Sequence, residues 1–577
     1  PNEVDAARLD TLAAGGMTFS DAYTASPVCS PTRASLMTGQ YPTRHGFTGA
    51  LGHIDEVRLE ARLRERAPAD QSTLEPASAT RLDTDHLTYA EVLREAGYRT
   101  AHIGKWHMGP APYSPLEHGF NLDIPHAPSA PGPGLDGYLH PWPVWPGHGE
   151  SGDHLEERMA SEAAAFIREM AGKDEPFYLS YWMWEVHTPL QDREARIDRY
   201  ARQADPDDPQ RNPVYAAMVE TMDRAVGTVI DALEASGQRE NTLVLFYSDN
   251  GGVTRLERAV PEPYRHIPPT SNRPLRGGKF TIYEGGFRVP LIASWPGRIP
   301  AGTNSDALVT SVDFYPLFLD VADIPAPPDQ ALDGESFLSV LEGRENGGGR
   351  GPIIGHWPHR FGELNEPSTF IRQGPWKLIR FYADGPNQAD RLELYHLGND
   401  TGETTDLAAR YPERAAALDA RLQQHLAATD AVVPAPNPDY RGEVFGWRGG
   451  GDAALAAGDG TLLLHSSGKD PFFYTEEVPP IVGPVTLTFR YRSDLSGRGE
   501  VFHTIDQPGG RRFAPTRSKA FSMVHDDTFH TATIRFETAA ALTGLRIDPG
   551  RGTGTVRFDS IRLTNPAETE EKTWNFQ

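Results

Sequence analysis

The stretch Ser26-Pro27-Val28-Cys29-Ser30-Pro31-Thr32-Arg33-Ala34-Ser35-Leu36-Met37-Thr38-Gly39 decides how this chain is read, and it holds Cys29, the only cysteine in 577 residues. Small and turn-forming residues lead into it. Pro31 suits the first turn of a helix, whose N–H groups lack intrahelical partners anyway. The spacing predicts a helix through Arg33 to Met37 that stops near Gly39. Cys29 then lies at a helix N-terminus, where free N–H groups and the dipole favour negative charge, and Arg33 adds a fixed positive one. Such a pocket suits an oxyanion, with a reactive side chain at its mouth. A lone cysteine is often just a small buried hydrophobe, but that role requires neither the proline nor the arginine.

Outward from this stretch, the length gives room for two or three domains and a large core. With 38% hydrophobic and 23% charged residues the chain is globular in composition, not disordered. No apolar run reaches the length of a membrane span. The net charge of −24 argues against a nucleic-acid partner and against general attraction to sulfated polymers. Positive charge at an anion site must therefore be local. A single cysteine allows no intrachain disulfide framework and leaves the redox compartment open. The sequence begins at Pro1, so targeting information is missing and not shown to be absent.

Strands and helices alternate along the first part of the chain. Leu9, Leu12 and Ala13 share a helical face in residues 5–14, which Gly15-Gly16 ends. Residues 51–86 read as an inserted surface loop, Thr88 to Ala96 as a helix, Arg99 to Ile103 as a strand, and 110–150 as a loop walling the pocket. Leu155, Met159, Phe166, Ile167 and Met170 keep helical spacing, Phe177 to Trp184 is an apolar strand, and Tyr215 to Leu233 marks a long amphipathic helix. Thr242 to Tyr247 reads as a buried strand, Val289 to Trp295 as another, and Val312 to Val321 as a helix. This order predicts an α/β fold, a mainly parallel sheet flanked by helices. Strands at Ile353-Ile354, Trp376 to Phe381 and Glu393 to Tyr395, then a helix from Pro412 to Ala428, predict a small antiparallel α+β subdomain. Val432 to Tyr440 is Pro-rich, and the alternating runs beyond it predict a β-sandwich. The expected domains are 1–345, 346–431, a linker at 432–441, and a sandwich over 442–577.

In open parallel sheets the ligand site lies off the carboxyl ends of the strands, and three motifs fall at such ends. Gly104-Lys105-Trp106-His107 pairs a cation with an acid–base group, two apart and so on one face of an extended segment. A solvated lysine and a hydrogen-bonded histidine would give the same letters. His187-Thr188-Pro189 follows an apolar strand, where a histidine can also be structural. Ser248-Asp249-Asn250-Gly251-Gly252 offers hard oxygen ligands that suit Ca²⁺ or Mg²⁺ and not zinc, although Asp-Asn-Gly alone is an ordinary turn. A fourth segment, Arg276-Gly277-Gly278-Lys279, has glycines that would let Lys279 approach an anion closely.

The pattern Cys29-x-Pro31-x-Arg33, continued by Ala34-Ser35-Leu36-Met37-Thr38-Gly39-Gln40-Tyr41-Pro42-x-Arg44-His45-Gly46, closely resembles the type I sulfatases of the alkaline phosphatase superfamily. The other four motifs resemble that family's too, in its order, over about residues 5–430. The resemblance implies that Cys29 is oxidised by a separate maturation enzyme to formylglycine, whose hydrate is the nucleophile, and that Arg33 stabilises it. It implies that Lys105 and Lys279 hold the sulfate, that His107 assists its release, and that His187 contacts it near the leaving oxygen. Asp249 and Asn250, with the residue 29 oxygen, would bind a divalent cation, usually calcium, with magnesium as the alternative. Ile371-Arg372-x-Gly374-x-Trp376-Lys377-Leu378 and Glu393 to Leu407 match the family's C-terminal subdomain. One departure stands out. The family carries two consecutive aspartates after its first strand, and neither that strand nor that pair is present here; Asp5 and Asp10 lie on the following helix and do not match. The expectation is that an N-terminal strand is missing from this sequence.

The leading expectation is a sulfuric ester hydrolase acting on a sulfated sugar or polysaccharide, in a periplasmic or secreted setting. The sugar rests on the appended sandwich, a common carbohydrate-binding form, and on a pocket wall of Trp142, Trp145, His356, Trp357 and His359, with His356 and His359 touching substrate. A phosphate or phosphonate ester hydrolase on the same fold, and a binding protein without turnover, are the alternatives.

Overall fold

The computed structural model describes residues 6–576 apart from 69–70, 135, 257–258, 346–349, 363, 386–387, 441–443, 459, 507–512 and 566–570. Asp5 and the expected start of the sandwich at 442 lie outside the described residues. The chain forms two compact units, Pro1–Arg64 with Glu75–Pro434, and Glu65–Leu74 with Ala435–Gln577.

In the first unit the helices begin where capping chemistry allows. His154 accepts from the Glu156 N–H at the start of Leu155–Met170, whose apolar stripe of Leu155, Met159, Phe166, Ile167 and Met170 is buried. Asn212 accepts from Val214 and Tyr215 N–H groups just ahead of Pro213 and opens Pro213–Ala235, which packs on the previous helix. Thr88 and Glu91 make a reciprocal capping box for Tyr89–Glu95. Arg99–Gly104 lies between Leu122–Ile124 and Phe177–Trp182, all three parallel. Val244–Tyr247 pairs with Leu291–Ser294, which runs against Met17–Phe19, itself parallel to Thr303–Ser305. The strand–helix alternation expected from the sequence is present, and Leu291–Ser294 is where parallel order reverses.

Phe177–Trp182 and Val244–Tyr247 each have one paired edge among the described residues. A cavity of about 1340 Å³ lies between them. Leu36, Phe314 and Phe318 line one side, and Ile167, Val226, Val229, Ile230 and Leu233 the other. The side chains of Val244–Tyr247, expected to be buried, are therefore only half-buried. Two strand edges thus face each other across an apolar-lined slot.

The subdomain is an antiparallel meander of Ile353–Trp357, Ser368–Gln373, Trp376–Phe381 and Arg391–His396. Pro412–Ala428 packs on it through Ala415, Leu418, Leu422 and Leu426. Sequence reading placed three of these strands and missed Ser368–Gln373. Residues 51–86 are not simply an exposed loop: Ala79 and Leu82 join the core with Met37 and Trp106. Buried Arg81 donates from Nη1 to the Thr80 carbonyl and from Nη2 to the Ile54 carbonyl.

Among the described residues, the main sheet of the second unit has nine antiparallel strands around Trp447, Leu464, Phe473, Phe489, Phe558 and Trp574. Thr461–Thr475 pairs first with Gly552–Thr564 and then with Leu542–Asp548. The expected runs all fall in strands. The Pro-rich segment is not a free linker, because Ala435–Pro436 pairs with Thr73–Leu74.

Candidate active site

Cys29 is the first residue of the helix Cys29–Thr38, and Gly39 closes it in the left-handed conformation at φ 68°. The thiol is 2% exposed. Lys279 Nζ lies 3.5 Å from its Sγ. Burial opposes ionisation of Cys29, yet the Lys105 and Lys279 charges, with hydrogen bonds to His107 and His187, hold it well below the usual thiol range. One anion-stabilising point is thus built from four separate stretches of chain.

Each stretch is fixed by its own backbone. The Lys105 N–H donates to the Trp182 carbonyl at the end of the parallel ladder. Lys105 is 2% exposed, and burial, reinforced by Arg33 and Lys279, lowers it to about 8 against support from Cys29 and Asp249. His107 does not continue an extended segment, since its φ is 61°. Its N–H donates to Pro128 and its carbonyl accepts from Ser30 Oγ at 2.7 Å, and this turns the ring toward Cys29. Burial keeps His107 at about 3 and His187 at about 4, so both rings are neutral near pH 7. His187 Nδ1 is 2.8 Å from the Thr188 carbonyl. A carbonyl only accepts, so Nδ1 carries the proton.

Arg33 does not point at the thiol. Its Nε and Nη2 both donate to Asp249 Oδ2, at 2.9 and 2.7 Å, and its Nη1 to the Lys105 carbonyl. The Trp182 ring lies under it, 4.9 Å from the guanidinium carbon. Burial raises the Asp249 carboxyl, but Arg33, Lys105 and Lys279 outweigh it and hold the group below the usual range. Asn250 Oδ1 is buried and makes no hydrogen bond. An unsatisfied oxygen beside an ionised carboxylate fits a hard divalent cation. The glycine turns do what was expected of them. A Cβ on Gly251 would sit 1.7 Å from the Gly285 carbonyl, and one on Gly278 would sit 2.4 Å from the Gly252 carbonyl. Only bare backbone lets these turns meet, and the Lys279 N–H closes them by donating to Gly252.

Cys29, Arg33, Lys105, His107, His187, Asp249, Asn250 and Lys279 are therefore assembled in one place. The other two candidates are not. His356 is 1% exposed inside the subdomain meander, 2.7 Å from Thr369 Oγ1, and is no substrate contact. His359 is held by Thr48 Oγ1 at 2.8 Å and is not among the groups that act on the Cys29 thiol. Trp142 and Trp357 fill cores instead of walling the pocket, because an apolar ring beside a loop is more stable buried than exposed. Sequence reading missed His53, whose Nδ1 is 2.9 Å from His107 Nε2. It also missed Asn272, which ties Gly252 to Gly277. Neither has a local motif. His154, Glu185 and Asp192 form a buried cluster elsewhere in the unit. His154 Nδ1 accepts from Glu156, which leaves the ring proton on Nε2, 3.6 Å from Glu185. At that distance the two do not hydrogen-bond, and neither His154 Nε2 nor either Glu185 carboxylate oxygen has a hydrogen-bond partner.

The subdomain grips the Lys279 loop through buried charge. Lys377 Nζ is 2.9 Å from Glu284 and 2.8 Å from Glu403, and Glu403 accepts from the Glu284 N–H.

A buried thiol ringed by lysines and histidines, next to an Asp-Asn turn at the strand ends, suits the binding of a strong oxyanion. The sulfatase family model matches residues 3–324, and that of the N-sulphoglucosamine sulphohydrolase C-terminal region matches 278–431. A sulfatase of Formosa agariphila is 30% identical over 466 residues, 70% of this chain and 79% of the relative. The N-acetylgalactosamine-6-sulfatase of Sus scrofa is 33% identical over 465 residues, 74% and 81% of the two chains. The crystal structure of Ps i-CgsB in complex with k-i-k-neocarrahexaose superposes with a TM-score of 0.57 at 27% identity, covering 73% of this chain and 87% of that one. The chain belongs to the sulfatase family, with its alkaline-phosphatase-like fold, and is a sulfuric ester hydrolase.

Proposed function

We propose that the enzyme removes sulfate from a sulfated carbohydrate. Residue 29 acts as formylglycine, made from Cys29 by a separate maturation enzyme, and Asp249 and Asn250 hold calcium, with magnesium as the alternative. The observation that carries this reading is the convergence of Lys105, His107, His187 and Lys279 on one buried Sγ at a helix N-terminus. Oxidised and hydrated, residue 29 supplies a hydroxyl nucleophile for sulfur, and the cation supplies acidity to that hydroxyl. The chain's own side chains do the rest. Lys105 and Lys279 neutralise the sulfate oxygens as charge develops on them. Arg33 keeps Asp249 ionised and aimed. His187, oriented by its bond to Thr188, contacts the leaving oxygen. His107 takes the proton from residue 29.

The carbohydrate part draws on the relatives, whose names specify N-acetylgalactosamine-6-sulfate and a carrageenan oligosaccharide, and on the nine-stranded unit as a sugar-binding module. Such substrates lie outside the cytoplasm, which favours a periplasmic or secreted enzyme; no described helix is long and apolar enough to cross a membrane. The test is mass spectrometry of the residue 29 peptide together with sulfate release from sulfated galactose and N-acetylgalactosamine oligosaccharides. An unmodified thiol in fully active enzyme overturns the nucleophile, and activity on aryl sulfates alone overturns the sugar.

A further inference from the structure

His107 has two ring nitrogens and the site uses only one. Its Nε2 lies 2.9 Å from His53 Nδ1, with the ring centroids 5.2 Å apart, and its buried Nδ1 makes no hydrogen bond. His107 itself is 2% exposed, whereas His53 is exposed to solvent. The contact is built. A Cβ on Gly52 would sit 2.0 Å from the His107 carbonyl, so the backbone before His53 is pressed against the backbone of His107. The Ser30 hydroxyl bonds the same carbonyl from the nucleophile's own helix. A proton that His107 accepts at the sealed site has to leave by some route, and this hydrogen-bonded pair joins the buried ring to one exposed to water.

We propose that His53 is a positioning residue for turnover: it fixes the tautomer of His107 and relays its proton to solvent. In the resting pair His107 carries its proton on Nε2 and donates it to His53 Nδ1, while His53 carries its own on Nε2. When the residue 29 hydroxyl gives its proton to His107 Nδ1, the Nε2–H of His107 passes to His53 Nδ1, and the His53 Nε2–H passes to water. One proton leaves the site, no electrons change hands, and both rings end in the opposite tautomer. Rotation or re-protonation from solvent resets them. This rests on the reading of residue 29 as nucleophile.

The experiment is steady-state kinetics of His53→Ala and His53→Asn on a small aryl sulfate, with and without added imidazole. Because His53 is at the surface, both variants are expected to melt with the wild type. His53→Ala should lose about 10–100-fold in kcat with KM unchanged, less than the full value of a general base because His107 remains. Millimolar imidazole should restore much of the loss. His53→Asn, which can hold a hydrogen bond but cannot relay a proton, should stay slow and accept less rescue. A kcat within twofold of wild type in His53→Ala overturns the relay, as does a loss that imidazole does not mend or one that appears in KM alone. Failure of the nucleophile reading would look different, because Cys29→Ala would then keep its activity.

Discussion

Raising the pH through about 8 should switch the enzyme off by discharging Lys105. Its ammonium is buried against Arg33 and Lys279, which brings it from its ordinary 10.5 to about 8. At about 1.4 kcal/mol per pH unit, the free site holds that charge at a cost of about 3 kcal/mol. A bound sulfate repays part of that cost, since its oxygens supply the negative charge that Lys105 lacks. A lysine loses its cation as pH rises, so kcat/KM, which reports the free enzyme, should fall on the alkaline side with a midpoint no higher than about 8. The kcat limb should lie higher, because substrate supports the ammonium. Cys29 contributes to keeping Lys105 charged, so converting residue 29 to an uncharged group moves the kcat/KM limb down, not up. Lys105→Met should lose about 10²–10³ in kcat/KM at pH 7, as for loss of one pre-aimed charge donor, and should lack the limb. The assay is sulfate release from an aryl sulfate between pH 6 and 10, with circular dichroism at each pH. A flat wild-type kcat/KM across that range, or a limb that survives in Lys105→Met, would refute the electrostatic reasoning.

Cys29→Ala should abolish turnover while costing only about 1 kcal/mol of stability, since it removes one buried atom; Cys29→Ser should be nearly dead as well, checked by sulfate release and melting temperature. Chelation should lower activity, with calcium restoring it better than zinc, and Asp249→Ala should cost more than Asn250→Ala because it also strands Arg33. Full activity in metal-free enzyme by elemental analysis would contradict this. Lys377→Met should destabilise the protein by about 3–5 kcal/mol, because Glu284 and Glu403 are left buried without their cation; denaturant melts read this directly, and a melt unchanged from wild type would show that the ion cluster is not structural.

What the sequence made legible was whatever depends on near neighbours. Pro31 and Gly39 bound the helix that Cys29 opens, and the glycines around Asp249 and Lys279 announced turns, though not that the two turns meet. Helix faces such as Leu155 to Met170 follow from period alone. What stayed hidden depends on partners far along the chain. His53 acquires meaning only because residue 107 folds onto it, and Arg81 in part because the Ile54 carbonyl, 27 residues back, accepts from it. The expected wall of Trp142 and Trp357 failed for a related reason, since composition cannot tell an aromatic that lines a cleft from one that fills a core. The half-buried side chains of Val244–Tyr247 follow from the slot beside them, which no property of that strand's own letters reveals.

The burial of Cys29 sets a schedule. On the proposed maturation, the oxidising enzyme needs the side chain in the open, but in the finished fold the thiol is almost sealed, in the first turn of a helix and beside Lys279. The Lys279 loop is anchored by Glu284, and Glu284 is held by Lys377 and Glu403. The clasp therefore cannot close until Glu403 has been made, about 370 residues after Cys29. At roughly 5–20 residues per second, synthesis leaves Cys29 accessible for some tens of seconds. The order of residues along the chain thus works as a timer, with the nucleophile near the start and the latch far behind it. Mutations that hasten closure should yield well-folded protein with unmodified residue 29, indistinguishable from wild type in every assay of structure and inactive in every assay of turnover.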